Sequence, residues 1–138
     1  MNTFEWNENI PVTANNLNEM QNILGNNFQL KGEILWQNQN PSSSFDTQTI
    51  TLENNDCDML LWLFKRSNFA NQIVSTTIIY GYDAVITNVT PSGDVVRRGF
   101  TYQGNNQYLI RDGTIGASTT NNQWLVPLYV IGYKTGLF

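Results

Sequence analysis

The stretch NNDCD, residues 54–58, holds the side chains of this chain that are best suited to chemistry. Asp56 and Asp58 lie two residues apart, so an extended backbone would present both carboxylates on one face. Together with the nearby Asp46 and Glu53, they could bind calcium or form the carboxylate pair of a glycosidase. Asp is also a frequent turn residue, and a solvated turn is therefore the favoured interpretation.

Cys57 is the only cysteine, and the chain contains no histidine. The lack of histidine removes Ser-His-Asp and Cys-His catalysis and the commonest protein metal ligand. One cysteine cannot form an internal disulfide, and without a base Cys57 is expected to sit in a turn or to be partly buried. The chain is therefore predicted to be no enzyme and to need no cofactor and no metal ion.

Neutral amides dominate the polar residues of this chain. Charged residues make up 13% of the 138 residues and the net charge is −4, whereas there are 20 Asn and nine Gln. Lys65–Arg66 and Arg97–Arg98 are the only adjacent basic pairs and no longer basic run exists, so the electrostatic footprint of a nucleic-acid-binding protein is missing. The apolar run at residues 60–64 is too short to span a membrane. The first residues lack the apolar region of a signal peptide, which predicts synthesis in the cytoplasm. Neither nucleic acid nor a membrane is expected as a partner.

Aromatic residues beside amide-rich turns indicate saccharide recognition. A ring can cover the apolar face of a sugar while amides and carboxylates bond its hydroxyls. The candidate ligand-binding residues form three groups along the chain: Tyr80, Tyr82 and Asp83; Asn105, Gln107 and Tyr108; and Asn122 with Trp124. The alternative for each is ordinary core packing, because most aromatic residues at strand ends pack inside the protein.

Arg97 and Arg98 fall within a predicted strand, so one of them should face inward and the other outward. An interior arginine needs a carboxylate or carbonyl partner. An ion pair across strands or subunits is the favoured interpretation, and Arg97 is a candidate interface residue. Ligand binding is the alternative, since arginine is enriched at interfaces.

The elements that must position these residues are mostly strands. Short alternating segments separated by turns fill residues 29–138 and predict eight or nine strands. Strands at this spacing are typical of an all-β domain, an antiparallel β-sandwich or a jelly-roll-like fold.

Residues 1–28 contain the one predicted helix. Leu17, Met20 and Leu24 share one helical face, and Gly25 ends the pattern. So short a helix is unstable alone in water. Its apolar face is expected either to dock on its own domain or to self-associate, because the spacing also fits a heptad.

The segment MLLWLFKR is apolar on both faces, with Leu60, Trp62 and Phe64 on one of them. An antiparallel strand with one solvated face should be apolar on one face only. An opposite sheet, the helix or a neighbouring subunit must therefore cover the second face. Leu60, Trp62 and Phe64 are candidate oligomer-interface residues, together with Arg97 and the apolar residues of the helix.

The order of several segments resembles a module of known proteins. ILWQNQNPSSSFDTQTITL followed by DMLLWLFKR, with VVRRGFTY and VPLYVIGYK later, is similar to a β-sandwich module of tail-fibre and receptor-binding proteins from phages of Gram-positive bacteria. FEWNENIPVTANNLNEMQ is similar to the segment that begins many phage tail and fibre proteins. Many of those proteins carry a long shaft between the two parts. This chain has almost none, which favours a short, compact spike.

The resemblance implies a homotrimeric virion protein. Residues 1–28 would attach it to other virion proteins, and the β domain would bind a saccharide on the host cell surface. Two other functions stay open at this stage. One is a structural decoration or connector of the virion, and the other is a polysaccharide-cleaving enzyme that uses Asp56 and Asp58.

Overall fold

The computed structural model describes residues 31–54 and 56–137, and this part of the chain is all-β. Gly32–Phe138 forms one compact unit. The nine strands, in chain order, are β1 (Gly32–Gln37), β2 (Gln48–Thr51), β3 (Met59–Ser67), β4 (Ile73–Ile79), β5 (Ala84–Val89), β6 (Val95–Gly104), β7 (Gln107–Ile115), β8 (Thr119–Thr120) and β9 (Trp124–Tyr133). Eight of them match segments that alternation and turn residues predicted. The short β8 was not predicted.

The predicted helix, with Leu17, Met20 and Leu24, lies outside the described residues, as does the whole segment 1–28. Within the described ranges, no helix has the length and apolar character needed to cross a membrane.

The strands form two antiparallel sheets in a sandwich-like arrangement, which confirms the predicted all-β, antiparallel sandwich character of this part of the chain. Sheet A has the strand order β1-β9-β3-β4, and sheet B has the order β2-β7-β6-β5, with β8 paired to β7. The chain crosses between the sheets four times, after β1, β2, β4 and β8. Pro127 lies in β9, an inner strand of sheet A, where the register with β3 shifts next to it. A proline fits there because a bulge releases it from donating to the ladder.

Aromatic rings from both sheets fill the core. Trp62 of β3 stacks on Phe100 of β6, with ring centroids 4.2 Å apart, and its edge contacts Tyr108 of β7 at 5.2 Å. Full burial of one such side chain stabilises a fold by roughly 1.5–3 kcal/mol. These contacts are what join sheet A to sheet B.

The apolar face of β3 that was assigned to a neighbouring subunit faces this core instead. Leu60, Trp62 and Phe64 each have 0% of their surface exposed within the single chain. Their assignment as oligomer-interface residues is therefore corrected, because sheet B covers them and leaves nothing for a second chain to contact. The opposite sheet was one of the three covers that the sequence allowed.

The other face of β3 lies on the outside of sheet A. Met59, Leu61 and Leu63 are half-buried there, and the flanking Ile34 and Ile79 are 52% and 37% exposed. Register places Ile34 level with Leu61 across β9, and Ile79 level with Met59. Sheet A therefore presents an apolar outer face.

Candidate functional site

Two of the three predicted ligand-binding groups meet at one end of the sandwich. The turn after β4 carries Tyr80 and Asp83, and the β6–β7 hairpin carries Tyr108. The backbone N–H of Gly81 donates to the Tyr108 hydroxyl at 2.8 Å, and the N–H of Tyr102 donates to Asp83 Oδ1 at 2.8 Å. The sequence groups around residues 80 and 108 are thus one cluster in the fold.

This cluster is packed rather than open. The rings of Tyr80 and Tyr102 lie 5.6 Å apart and those of Tyr102 and Tyr108 5.1 Å apart, and Tyr108 is fully buried. The Tyr80 hydroxyl donates to Asn106 Oδ1. Burial raises the pKa of Tyr108 to about 12 and, with the hydrogen bond to Tyr102, also raises the pKa of Tyr80. Only Tyr82 of the group, 63% exposed, turns a large aromatic surface to solvent.

Backbone conformation explains why asparagines occupy the β6–β7 hairpin loop. Asn105 and Asn106 have φ values of 53° and 61°, and they form the two-residue loop between the paired residues Gly104 and Gln107. Such loops need two residues at positive φ, which Asn tolerates better than most residues do. Asn105 and Asn106 therefore lie where turn geometry favours their residue type, and Gln107 follows as the first residue of β7.

Asn122 belongs to a different site, next to two carboxylates. Its Nδ2 donates to Asp46 Oδ1 at 3.0 Å and to Asp112 Oδ1 at 2.9 Å, while its Oδ1 accepts from the N–H of Gly113. Hydrogen bonds from Asn122 and from Thr47 lower the pKa of Asp112. Asn122 thus ties the loop before β2 to β7 and to the segment before β9.

Arg98 is the interior arginine that the sequence required. Its side chain is 1% exposed, and its five N–H groups donate to five backbone carbonyls. The acceptors, at 2.7–3.3 Å, are the carbonyls of Phe45, Arg111, Asn122, Trp124 and Leu125. A carbonyl partner was predicted and is confirmed, whereas the favoured ion pair is wrong. Among the described residues, the one ion pair joins Lys134 and Asp56.

We call the five carbonyls that surround the Arg98 guanidinium the carbonyl cage. Burial lowers the pKa of Arg98 to about 10, and the carboxylates of Asp112 and Asp46 act in the opposite direction. The guanidinium is therefore protonated at neutral pH. It lies 5.7 Å from the centre of the Phe45 ring and also bonds the Phe45 carbonyl. Trp124, predicted as a ligand residue, contributes its carbonyl to this cage, and Arg97 is exposed on the outside of sheet B.

A pocket lined mostly by polar side chains lies in the β1–β2 loop, and none of its residues was among the predicted ligand-binding residues. We call it the amide pocket; its volume is about 370 Å³. Trp36 and Phe45 form an aromatic side of it, with ring centroids 6.0 Å apart in an edge-to-face contact. The remaining lining side chains are uncharged and polar: Gln37, Asn38, Gln39, Asn40, Ser43, Ser44 and Gln48.

Hydrogen bonds to β9 hold the loop of the amide pocket in place. The Asn38 N–H donates to the Leu128 carbonyl at 2.9 Å, and its Nδ2 donates to the Pro127 carbonyl at 2.7 Å. Asn38 Oδ1 accepts the N–H of Asn40, and the Asn40 carbonyl accepts the N–H of Ser43. A loop held in place in this way loses less backbone entropy on binding than a flexible loop would.

The amide pocket could have been found from the sequence. NQNPSSSF places amides and hydroxyls directly after Trp36, which is the same pattern that selected the other three groups. What the pattern could not show is which aromatic rings remain at the surface beside their amides.

The acidic residues on either side of Cys57 bind the C-terminal segment through hydrogen bonds and an ion pair. Asp58 accepts hydrogen bonds from the N–H and Oγ1 of Thr135 and from the N–H of Gly136, and these bonds lower its pKa. Asp56 pairs with Lys134 at 3.0 Å. Cys57 is partly buried, as predicted, and its burial raises its pKa. In the described ranges, no three His, Cys, Asp or Glu side chains are grouped as a metal site would require.

Comparisons with models of known families, with curated proteins and with solved structures find no match to this chain, so its function is argued from its own residues.

Proposed function

We propose that this protein is a non-enzymatic attachment protein whose β-sandwich binds a neutral saccharide in the amide pocket. The observation that carries the proposal is the partly exposed Trp36 ring, with the buried Phe45 ring against it, in a pocket otherwise lined by uncharged amides and hydroxyls. Aromatic rings suit the apolar face of a sugar, and amides both donate to and accept from its hydroxyls. The pocket volume of about 370 Å³ falls in the range of small-molecule sites.

Among the residues that the structure describes, no charged side chain lines the pocket, and this defines the ligand class. An acidic sugar would have to be desolvated there without a cationic partner, which is unfavourable. A neutral sugar exchanges hydrogen bonds with water for similar hydrogen bonds with amides, so each contact contributes only about 0.5–1.5 kcal/mol. Binding at one pocket is therefore weak, and useful attachment requires several copies on one particle.

The setting we propose is a virion of a phage that infects Gram-positive bacteria. Its support is the sequence resemblance, whose first part, ILWQNQNPSSSFDTQTITL, includes the whole loop of the amide pocket. In this proposal, the protein is a homotrimer, residues 1–28 attach it to other virion proteins, and three pockets act together on the host surface. Effective concentration then raises the avidity above the affinity of one pocket.

Titration of the full chain with a panel of neutral mono- and oligosaccharides tests the proposal. Trp36→Ala should weaken binding at least tenfold because it removes the larger ring. Gln39→Ala and Gln48→Ala, both at exposed positions, should each weaken binding about twofold to tenfold without loss of fold. Tyr82→Ala removes an exposed ring from the other cluster and is the matched control. If no neutral saccharide binds, or if Tyr82→Ala matters as much as Trp36→Ala, the proposal fails.

A second candidate function is a decoration or connector that binds only other virion proteins. The apolar outer face of sheet A favours it, because exposed isoleucines beside half-buried leucines are typical of protein contacts. Glycan binding separates the two functions.

The polysaccharide-cleaving alternative would need Asp56 and Asp58, whose carboxylates bond Lys134 and the C-terminal segment. Release of reducing sugar that is lost in Asp58→Asn would favour that alternative.

A further inference from the structure

Gly99 occupies the middle of β6, where glycine weakens a strand. The other eight glycines of the described ranges each have a structural reason. Positive φ explains Gly81, Gly93, Gly104, Gly116 and Gly136. Close approach explains Gly32, Gly113 and Gly132, where an added Cβ would lie within 3.0 Å of another atom.

Neither reason applies to Gly99. Its φ is not in the left-handed region, and an added Cβ would lie 3.7 Å from Arg111 Cδ and 3.7 Å from Val85 Cγ2, which is ordinary contact. The β6–β7 register does shift between Arg98 and Phe100, but a bulge calls for glycine only where φ is positive. The fold would therefore accept alanine here. Glycine within a strand marks bulges as well as places where a ligand or another backbone approaches closely, and here the extra residue of the bulge lies on β7, opposite Gly99.

The missing side chain leaves a trough on the outside of sheet B, with a volume of about 380 Å³. Val85, 63% exposed, borders it on β5, and Arg111 borders it on β7. Asp83 and Thr101 also line it. The trough thus combines an apolar side chain, a cation, a carboxylate and a hydroxyl around bare backbone.

The two charged groups of the trough are available to a ligand. In the described part of the chain, neither Arg111 nor Asp83 has an oppositely charged side chain within 4.0 Å. Asp83 uses Oδ1 to accept the N–H of Tyr102, which leaves Oδ2 to accept a hydroxyl. The Arg111 guanidinium donates in a planar fork that matches a carboxylate or phosphate.

We propose that the Gly99 trough is a second saccharide site, specific for a sugar unit that carries one acidic group. The carboxylate or phosphate of the sugar pairs with Arg111, one hydroxyl donates to Asp83, and the apolar side of the ring covers Val85 and the backbone of Gly99. This site has the opposite charge preference to the amide pocket. It does not depend on the amide pocket, so either site can fail without the other.

The test uses the ¹⁵N-labelled full chain and follows backbone amide shifts on titration with D-glucuronate, D-glucose or inorganic phosphate. D-Glucuronate should shift the amides of residues 83–85, 99–101 and 111, with millimolar affinity. D-Glucose should leave them in place, and phosphate should bind at least tenfold more weakly. If D-glucuronate gives no saturable shift at these residues, the proposal is overturned. Equal binding of phosphate would overturn the saccharide part of it.

Two variants separate binding at this site from a general electrostatic effect. Arg111→Gln should weaken D-glucuronate binding at least tenfold, since hydrogen bonds to charged groups are the strong ones. Arg97→Gln removes a cation from the same sheet face but not from the trough lining, and it should change the affinity less than twofold. An equal effect of both variants would contradict the proposal.

Gly99→Ala is the most informative variant because stability and binding should move in opposite directions. It should raise the melting temperature by about 2–6 °C, since alanine suits a strand better than glycine. It should also weaken D-glucuronate binding at least tenfold by filling the floor of the trough. A lower melting temperature would show that the fold itself needs the glycine, and unchanged binding would show that the trough is not the site. Either result would overturn the proposal. The indole signal of Trp36 reports the amide pocket separately in the same spectra.

Discussion

Arg98→Lys should destabilise this protein far more than a conservative exchange normally does. The change keeps the positive charge and most of the side-chain length. Arginine has five N–H donors and lysine has three, whereas five backbone carbonyls surround the Arg98 guanidinium. At least two of the five carbonyls must therefore lose their donor, in a place where the Arg98 side chain is 1% exposed.

The expected loss follows from those two carbonyls. A buried acceptor left without a partner costs about 1–3 kcal/mol, so two of them give a loss of about 2–6 kcal/mol. A small domain has a total stability of about 5–15 kcal/mol, which makes this a large fraction of it. At a typical slope of about 2 kcal/mol/M, the urea midpoint should fall by about 1 M or more.

Urea unfolding followed by tryptophan fluorescence and circular dichroism measures this change. Arg97→Lys is the control, because Arg97 is exposed on the neighbouring position and should change stability by less than about 0.5 kcal/mol. A loss below about 1 kcal/mol for Arg98→Lys, or equal losses for both variants, would refute the reasoning. It would mean that water or a shifted backbone satisfies the abandoned carbonyls.

Three further predictions concern the same fold. Gly113→Ala should lower the free energy of unfolding by about 2 kcal/mol or more, because an added Cβ would lie 2.6 Å from the Asn121 carbonyl oxygen and 2.9 Å from Arg98 Nη2. Thermal unfolding measures this loss, and an unchanged melting temperature would contradict the prediction. Asp112 has a lowered pKa in the folded state, so its contribution to stability is present above about pH 4 and is lost as the pH falls below that value. The difference in melting temperature between the native chain and Asp112→Asn should therefore shrink between pH 6 and pH 2, and a constant difference would contradict this. Light scattering of the full chain should give three times 15.7 kDa, and a monomeric mass would remove the proposed trimer. A chain that lacks residues 1–25 shows in the same experiment whether this segment or the β domain assembles the trimer.

The strands could be predicted because each carries its own local signal. Alternation and turn residues located eight of the nine, including MLLWLFKR and WLVPLYVIGYK. β8, Thr119–Thr120, was missed because two polar residues inside STTNN have no apolar face to detect. Which sheet each strand joins depends on long-range pairing, such as that of β1 with β9, and no local pattern contains it.

The buried arginine shows where sequence reasoning ends. Alternation showed that one residue of the Arg97–Arg98 pair must be interior and must find an oxygen partner. The partners could not be named, because the five carbonyls lie 13–53 residues away in sequence. Every residue has a carbonyl, so such partners leave no trace in residue types. A carboxylate was the favoured partner for the opposite reason, since only carboxylates can be recognised by residue type.

The abundance of amides makes the site hard to find, because amides have three different tasks in this protein. Asn105 supplies positive φ at a hairpin, and Asn122 crosslinks two carboxylates and a backbone N–H. Gln39 and Gln48 line the amide pocket. These tasks look alike in sequence, since each places an amide near an aromatic residue and a turn. The amides of a ligand-binding surface differ from the others in that they are exposed next to aromatic rings that are not buried in the core. Aromatic rings are buried where the two sheets pack together, as in the cluster of Tyr80, Tyr102 and Tyr108. The β1–β2 loop crosses between the sheets outside that region, and its Trp36 ring therefore stays partly exposed beside the amides.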